Sequence, residues 1–526
     1  MPFQRLDRGQ VAELAEGLGI RLSEDETAVF AERMAEQVGA LDDFMEMRLE
    51  EHRPPRRHLA RDPGRRPTAA EDPLNAFIRR CEVPGAATGP LAGKRVAVKD
   101  HTAVAGVPMT LGSHFLDGYT PDFDATIVTR LLDAGATVIG KTNMEDFSFG
   151  GPGFSGIGDF GRPLNPHDPA HVTGGSSSGS GAAVASGAAD IGIGGDQGGS
   201  IRIPAAWCGC VGLKASFGLI PHSGVFGLEP SIDFVGPMTR TVADLATVLA
   251  VLAGPDGYDP RQGEVPAALP DYVGATGKPV AGLRIGVLAE GFGWPGGEAA
   301  VDEVVRAAIA VLVEAGATAV PVSVPLHRSA LAALTPLYLE GARQGLDGNF
   351  AGAFGGAFRP ASFMAAFGRG KRGHSHELPL NFKLMAMAGT YAHERYDGRL
   401  AAKAHAVRPA FAAQYAAAFA GCDLLAMPTV PVRAPRYVTP ESAIDAVDRT
   451  LFGGRRGADL GLAVANCAPF NFVGLPAASL PCAKVDGLPV GLQLVAPMWR
   501  EDLLLTAAHA FEAAVGVGAF DPPAAG

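Results

Sequence analysis

An α/β fold follows from three features of this 526-residue chain. Short β-prone runs alternate with helix-length segments. One helix–glycine–strand unit occurs twice, as LLDAGATVIG at 131–140 and LVEAGATAVP at 312–321. Hydrophobic residues make up 47% of the chain, which allows a substantial buried core. Together these favour helices packed on a sheet over a repeat or all-helical architecture. The length suits one large domain with additions, or roughly two to four domains.

Residues from about 8 to 48 read as two helices, with Ser23-Glu24-Asp25-Glu26 as a capping box before the second. A stretch rich in proline (Pro54, Pro55, Pro63, Pro67, Pro73) and arginine (Arg53, Arg56, Arg57, Arg61, Arg65, Arg66) follows. It reads as a solvated linker, or as an arginine run for an acidic partner. The expected division is therefore 1–73, helical region and Arg/Pro-rich linker, and 74–526, the main domain. Arg95–Val98 is a strand ending at Lys99-Asp100. Asp124 is a candidate N-cap for a helix over 125–134, with Gly135 as its stop. Ala136–Ile139 reads as the next strand. Further strands are expected at Leu283–Val287, Leu424–Met427 and Val490–Val495, with a closing helix near Asp502–Ala513. Residues about 330–415 differ, with Phe350, Phe354, Phe358, Phe363 and Phe367 punctuating a stretch broken by Gly352 and Pro360. This is either a variable substrate cap lined by aromatics or the core packing of short helices.

Composition narrows the function. A net charge of −11 opposes a general nucleic-acid binder, which carries a basic footprint. The start, MPFQRLDRGQVAELAEG, contains no apolar leader segment, and no apolar run approaches roughly 18 residues, so neither export nor membrane insertion is expected. The six cysteines form no CxxC pair and no zinc spacing. A reduced, cytoplasmic protein without a bound metal is the expectation.

The most informative stretch is Gly174–Pro204, GGSSSGSGAAVASGAADIGIGGDQGGSIRIP. It holds two serine–glycine loops, Gly174-Gly175-Ser176-Ser177-Ser178-Gly179 and Asp196-Gln197-Gly198-Gly199-Ser200. Glycines let backbone N–H groups converge on an anion, and a hydroxyl beside them suits acyl transfer, which needs a nucleophile next to an oxyanion hole. Two other motifs compete. Gly135–Thr142 fits GxxxxGK[ST], but a phosphate-binding loop follows a strand and opens a helix, whereas Thr137-Val138-Ile139 is itself β-prone. Gly175–Gly179 fits GxSxG with Ser177 as the elbow serine, yet His171-Val172-Thr173 makes a poor leading strand and no later histidine stands in a persuasive loop.

The chain resembles the amidase signature family through Val96-Ala-Val-Lys-Asp100, Gly174–Ser178, Gly194–Pro204, Cys208–Lys214, Gly236-Pro-Met-Thr-Arg240 and Pro476–Leu494. The likeness runs from about residue 74 to the C-terminus, and the Asp-Gln-Gly-Gly form is closest to broad-spectrum amidases of nitrile metabolism. It implies a mixed central sheet flanked by helices, a nucleophile at Ser200, a bridging serine on a cis peptide at Ser176, and Lys99 as the base. Backbone N–H groups of Gln197, Gly198, Gly199 and Ser200 are the implied oxyanion donors. Asp196 and Arg202 are either supports of that loop or a surface ion pair. Ser177 and Ser178 either orient the bridging serine or satisfy loop backbone groups. The implied activity is hydrolysis of a small-molecule carboxamide through a seryl acyl-enzyme, with no cofactor and no metal. The alternatives are an esterase or carbamate hydrolase on the same three residues, or an ammonia-delivering component of an amidotransferase. Neither a nucleic acid nor a membrane is an expected partner; a second copy of the chain is a candidate.

Overall fold

The computed structural model describes residues 6–48, 53–150, 159–354, 358–452 and 459–523. The chain divides into two units, Met1–His52 and Arg53–Gly526. In the first, helices Arg8–Gly17 and Glu24–Glu46 pack on each other, and each opens with a reciprocal capping box, Asp7 with Gln10 and Ser23 with Glu26. Each box satisfies two backbone donors that a helix start leaves open.

The second unit carries a twelve-stranded mixed sheet. Its strands are β1 (Asp62–Arg65), β2 (Phe77–Val83), β3 (Arg95–Lys99), β4 (Thr137–Thr142), β5 (Ile191–Asp196), β6 (Val211–Lys214), β7 (Phe234–Thr239), β8 (Arg284–Leu288), β9 (Thr318–Val322), β10 (Leu424–Pro428), β11 (Ala477–Val485) and β12 (Leu488–Val495). They lie in the order β1-β2-β4-β3-β5-β7-β6-β11-β12-β10-β8-β9. β3 runs parallel to both β4 and β5, and the crossovers carry helices Thr126–Asp133 and Ser178–Ala185. The β3 and β5 carboxyl ends therefore open at the same edge of the sheet, where open α/β sheets build their sites. The duplicated unit of the sequence is real: helix Ala299–Glu314 leads into β9 as Thr126–Asp133 leads into β4. Gly135, at φ +94°, ends the earlier helix in the left-handed region.

Two expectations are corrected. Asp124 does not cap the helix, whose N-cap is Ala125. The Asp124 carboxylate instead accepts both Nη1 (2.7 Å) and Nη2 (2.6 Å) of Arg61 and the N–H of Ala105. The stretch from Arg53 to Pro73 is largely solvated, as expected, but it is not a linker. It belongs to the larger unit, β1 pairs antiparallel with β2, and the Arg61 side chain is only 4% exposed. Three more of its arginines make exposed ion pairs, Arg53 with Asp122, Arg57 with Asp133 and Arg65 with Glu71. Sequence separation hid these pairings, because every acid but Glu71 lies more than sixty positions away.

The 330–415 region folds as helices Ala330–Asp347, Ala361–His374, Leu380–Tyr396 and Arg399–Phe419; residues 355–357 within it lie outside the described residues. Phe350, Phe354, Phe358, Phe363 and Phe367 are all buried. Phe354 and Phe363 meet edge-to-face, and Phe350 reaches Phe147 and Phe226 from the sheet side. Such pairs add about 0.5–1.5 kcal/mol each beyond the area they bury. The core-packing reading describes these side chains. All six cysteines are unpaired and buried. Among the described residues no helix is long and apolar enough to cross a membrane.

Replacing Arg61 by Ala strands the buried Asp124 carboxylate and should cost about 3–5 kcal/mol. The expected outcome is a clearly lowered melting temperature. A variant melting with the wild type would show that the pair is solvated.

Candidate active site

Lys99 closes β3 and has no exposed surface. Its Nζ lies 2.6 Å from Ser176 Oγ. Burial pushes the amine down to about 7, although Glu145, Asp196 and Asp233 pull it back towards its ordinary value. Desolvation disfavours the ammonium form, so the neutral amine is present near pH 7. Lys141, the buried lysine beside it on β4, is matched by Asp100 at 2.8 Å.

Ser176 follows a cis Gly175–Ser176 peptide, and its carbonyl accepts the N–H of Glu145 at 3.2 Å. Two residues later, helix Ser178–Ala185 begins. Ser177 is buried with its Oγ between the Gly195 carbonyl and N–H, each at 3.2 Å. Its own N–H donates to the Ser200 carbonyl at 3.3 Å. The two serine–glycine loops are thus joined backbone to backbone. Ser177 is committed to that junction, and no strand leads into it, so the elbow geometry is absent. Ser178 is the first helical residue and is buried. The phosphate-loop candidate is also excluded, because Thr137–Thr142 is β4 itself.

The second loop, 197–201, leaves β5. Asp196 organises it: Oδ1 accepts the N–H of Gly199 at 2.7 Å and Oδ2 that of Ile201 at 3.1 Å. This corrects the oxyanion assignment at Gly199, whose N–H is spent on Asp196. Gly199 also has φ +135°, and a Cβ there would stand 2.7 Å from Cys467 Cβ. Glycine is required on both grounds.

Arg202 and Asp196 are not a surface pair. Both are fully buried, and the guanidinium grips the carboxylate through Nε and Nη2, each at 3.0 Å. Arg202 also donates to the Cys467 carbonyl (3.0 Å), Gln493 Oε1 (2.9 Å) and Asn471 Oδ1 (2.6 Å). Asn471 Nδ2 returns a bond to Asp196 Oδ1 at 2.8 Å. Burial alone would raise Asp196, but Arg202 and Asn471 outweigh it and hold the carboxylate at about 2. Ser200, at 6% exposure, sits in the loop this clamp shapes.

The sequence reading did not single out Asn471, Gln493, Asp233 or Tyr338. Asn471 and Gln493 each stand alone as polar positions in apolar surroundings, PFNF and VGLQLV. That is a usable signal, because a buried amide needs partners.

The sequence profile of the amidase family matches residues 70–505. The chain is 44% identical to an enantioselective amidase of Rhodococcus rhodochrous over 464 residues, 87% of each protein. It is 39% identical to a glutamyl-tRNA(Gln) amidotransferase subunit of Halobacterium salinarum, covering 84% of this chain and 99% of that one. The structure of native peptide amidase from Stenotrophomonas maltophilia superposes with a TM-score of 0.63 at 31% identity, covering 81% and 83%. The chain belongs to the amidase family and is a hydrolase of carbon–nitrogen amide bonds.

Arg202→Lys should damage this site. An ammonium cannot span Asp196, Asn471, Gln493 and the Cys467 carbonyl at once. We expect a lower melting temperature together with a fall in kcat of about a hundredfold or more, in line with misplacement of a preorganised loop. Wild-type kcat in a stably folded Arg202→Lys enzyme would show that the clamp does not hold the loop for catalysis.

Proposed function

We propose that Ser200, Ser176 and Lys99 hydrolyse a small-molecule carboxamide through an ester on Ser200. The observation that carries this reading is the dry lysine: a buried Nζ, 2.6 Å from Ser176 Oγ and pushed to about 7. A lysine serves as a base only when neutral, and burial supplies that condition. Neutral Lys99 accepts the Ser176 proton while Ser176 accepts that of Ser200, and Ser200 Oγ attacks the carboxamide carbon. The N–H groups of Gln197, Gly198 and Ser200 receive the developing oxyanion. As the C–N bond breaks, the relay returns its proton to the departing amine or ammonia. Water then adds to the ester, the same relay takes its proton, and the free acid leaves with Ser200 restored.

A second reading is a component that releases ammonia inside an amidotransferase. Its support is the likeness along 99% of the Halobacterium salinarum protein. Hydrolysis of simple amides by the isolated chain, independent of glutamine, separates the two.

Ser200→Ala should lose several orders of magnitude in kcat with the fold retained. With the wild-type enzyme, hydroxylamine should divert turnover to a hydroxamate. Different amides of one acid should give one hydroxamate-to-acid ratio, because they share the Ser200 ester. Ratios that change with the departing amine would oppose a common intermediate. The second test is pH. Since the active form is deprotonated, kcat/KM should rise with pH through an apparent value near 7 and fall away below it. Lys99→Ala should depress the rate and flatten that limb. Retention of both rate and limb would refute Lys99 as the base.

A further inference from the structure

Beside Ser200 stand polar groups that neither the relay nor the clamp uses. Asp196 pairs with Phe234 across β5 and β7, so the next positions outward set Gln197 opposite Asp233. Both are buried, Gln197 at 1% and Asp233 at 2% exposure. Yet Gln197 Oε1, Gln197 Nε2 and Asp233 Oδ2 have no hydrogen-bond partner among the described residues. The Gln197 amide is near enough to restrain the Asp233 carboxyl, though out of hydrogen-bond geometry. Buried polar atoms are nearly always paired. Three unpaired ones at a single spot, next to a reacting serine, point to a partner that arrives with the ligand.

The carboxyl is held at one oxygen. Asp233 Oδ1 accepts the N–H of Leu228 at 2.9 Å, which fixes the group and leaves Oδ2 free. A third group comes from helix Ala330–Asp347. Tyr338 Oη lies 2.5 Å from where a Cβ on Gly198 would stand, so the hydroxyl overhangs the loop of Ser200. The Tyr338 ring packs against the phenylalanine cluster. An apolar wall and a polar end thus meet at Tyr338, a half-buried residue.

Charge selects the kind of ligand. An anionic ligand would meet the Asp233 carboxyl, while the charged neighbours Arg202, Lys141 and Arg261 are already paired with Asp196, Asp100 and Asp259. Burial pushes the Asp233 carboxyl up to about 7, so a neighbouring cation would readily ionise it.

We propose that Gln197, Asp233 and Tyr338 form a recognition site for an ammonium group on the acyl part of the substrate. The preferred substrates are then amides of α-amino acids with apolar or aromatic side chains. This rests on Ser200 as the nucleophile.

The test compares phenylalaninamide with 3-phenylpropanamide, which lacks only the amino group, using the purified full chain. The readout is the ratio of their kcat/KM values in the wild type, Asp233→Asn and Tyr338→Phe. The α-amino group also activates the carbonyl intrinsically, so the change in ratio between enzymes is what counts. We expect the wild-type ratio to exceed one and to fall about tenfold or more in Asp233→Asn, chiefly through KM, as loss of a charged hydrogen bond implies. In Tyr338→Phe it should fall several-fold. A wild-type ratio below one, or an unchanged ratio in Asp233→Asn, overturns the proposal. If thermal melting shows that Asp233→Asn does not fold, the Tyr338→Phe ratio decides. Failure of the Ser200 assignment appears separately, as turnover of both amides by Ser200→Ala.

Discussion

Lys99 ends an interior strand with no surface in contact with water, and its amine meets a hydroxyl where a buried lysine would ordinarily require a carboxylate. The resulting value of about 7, against an ordinary 10.5, corresponds to roughly 5 kcal/mol in favour of the neutral form. Much of the surrounding architecture serves that condition. β4 and β5 flank β3, so the lysine emerges from the middle of a sheet. Lys141 is neutralised by Asp100, which keeps a second free cation out of the neighbourhood. Glu145, Asp196 and Asp233 act in the opposite direction, so the amine lies near neutrality and is not displaced further.

A second constraint is the shape of the loop after β5. Its peptide groups can face an oxyanion only if something else holds its turns, and Asp196 does so by accepting Gly199 and Ile201 N–H groups. A buried carboxylate in that position needs a counter-charge, and Arg202 provides it while reaching Cys467, Asn471 and Gln493. Residues nearly 300 positions apart are thereby tied to one turn. The clamp is charged, buried and fully hydrogen-bonded, the condition under which a buried ion pair is sustained. The Gly199 N–H is used in building that loop, and under the proposed mechanism its neighbours are left for the oxyanion.

The regular elements were legible in the sequence wherever local chemistry dictates them. The capping box at Ser23, the stop at Gly135 and the strands around Val96, Leu424 and Val490 all appear within a few residues of their expected limits. Asp124 shows where such reasoning ends. Its type and position suit an N-cap, but Arg61 outcompetes the helix for its carboxylate. The arginine-rich stretch reads as a linker for the same reason, since the acids that pair with Arg53, Arg57 and Arg61 lie far away in the sequence. Ser177 satisfied a motif whose defining feature, a strand leading into the turn, is a matter of three-dimensional context.

The sequence alone determined the α/β class, the two serine–glycine loops and the lysine at a strand end, because helix caps, glycine turns and β-prone runs act over a few residues. It also carried the family likeness. Only the tertiary structure decided that Asp196 and Arg202 are buried, that Gly199 donates to Asp196, and that Gln197, Asp233 and Tyr338 gather beside Ser200. Burial and partnership depend on which distant segments the sheet order brings together, and that order is set by packing over the whole domain. A residue's protonation and hydrogen-bonding state is a property of that environment, so Lys99 could be nominated from its motif but only its dry surroundings make it basic near pH 7.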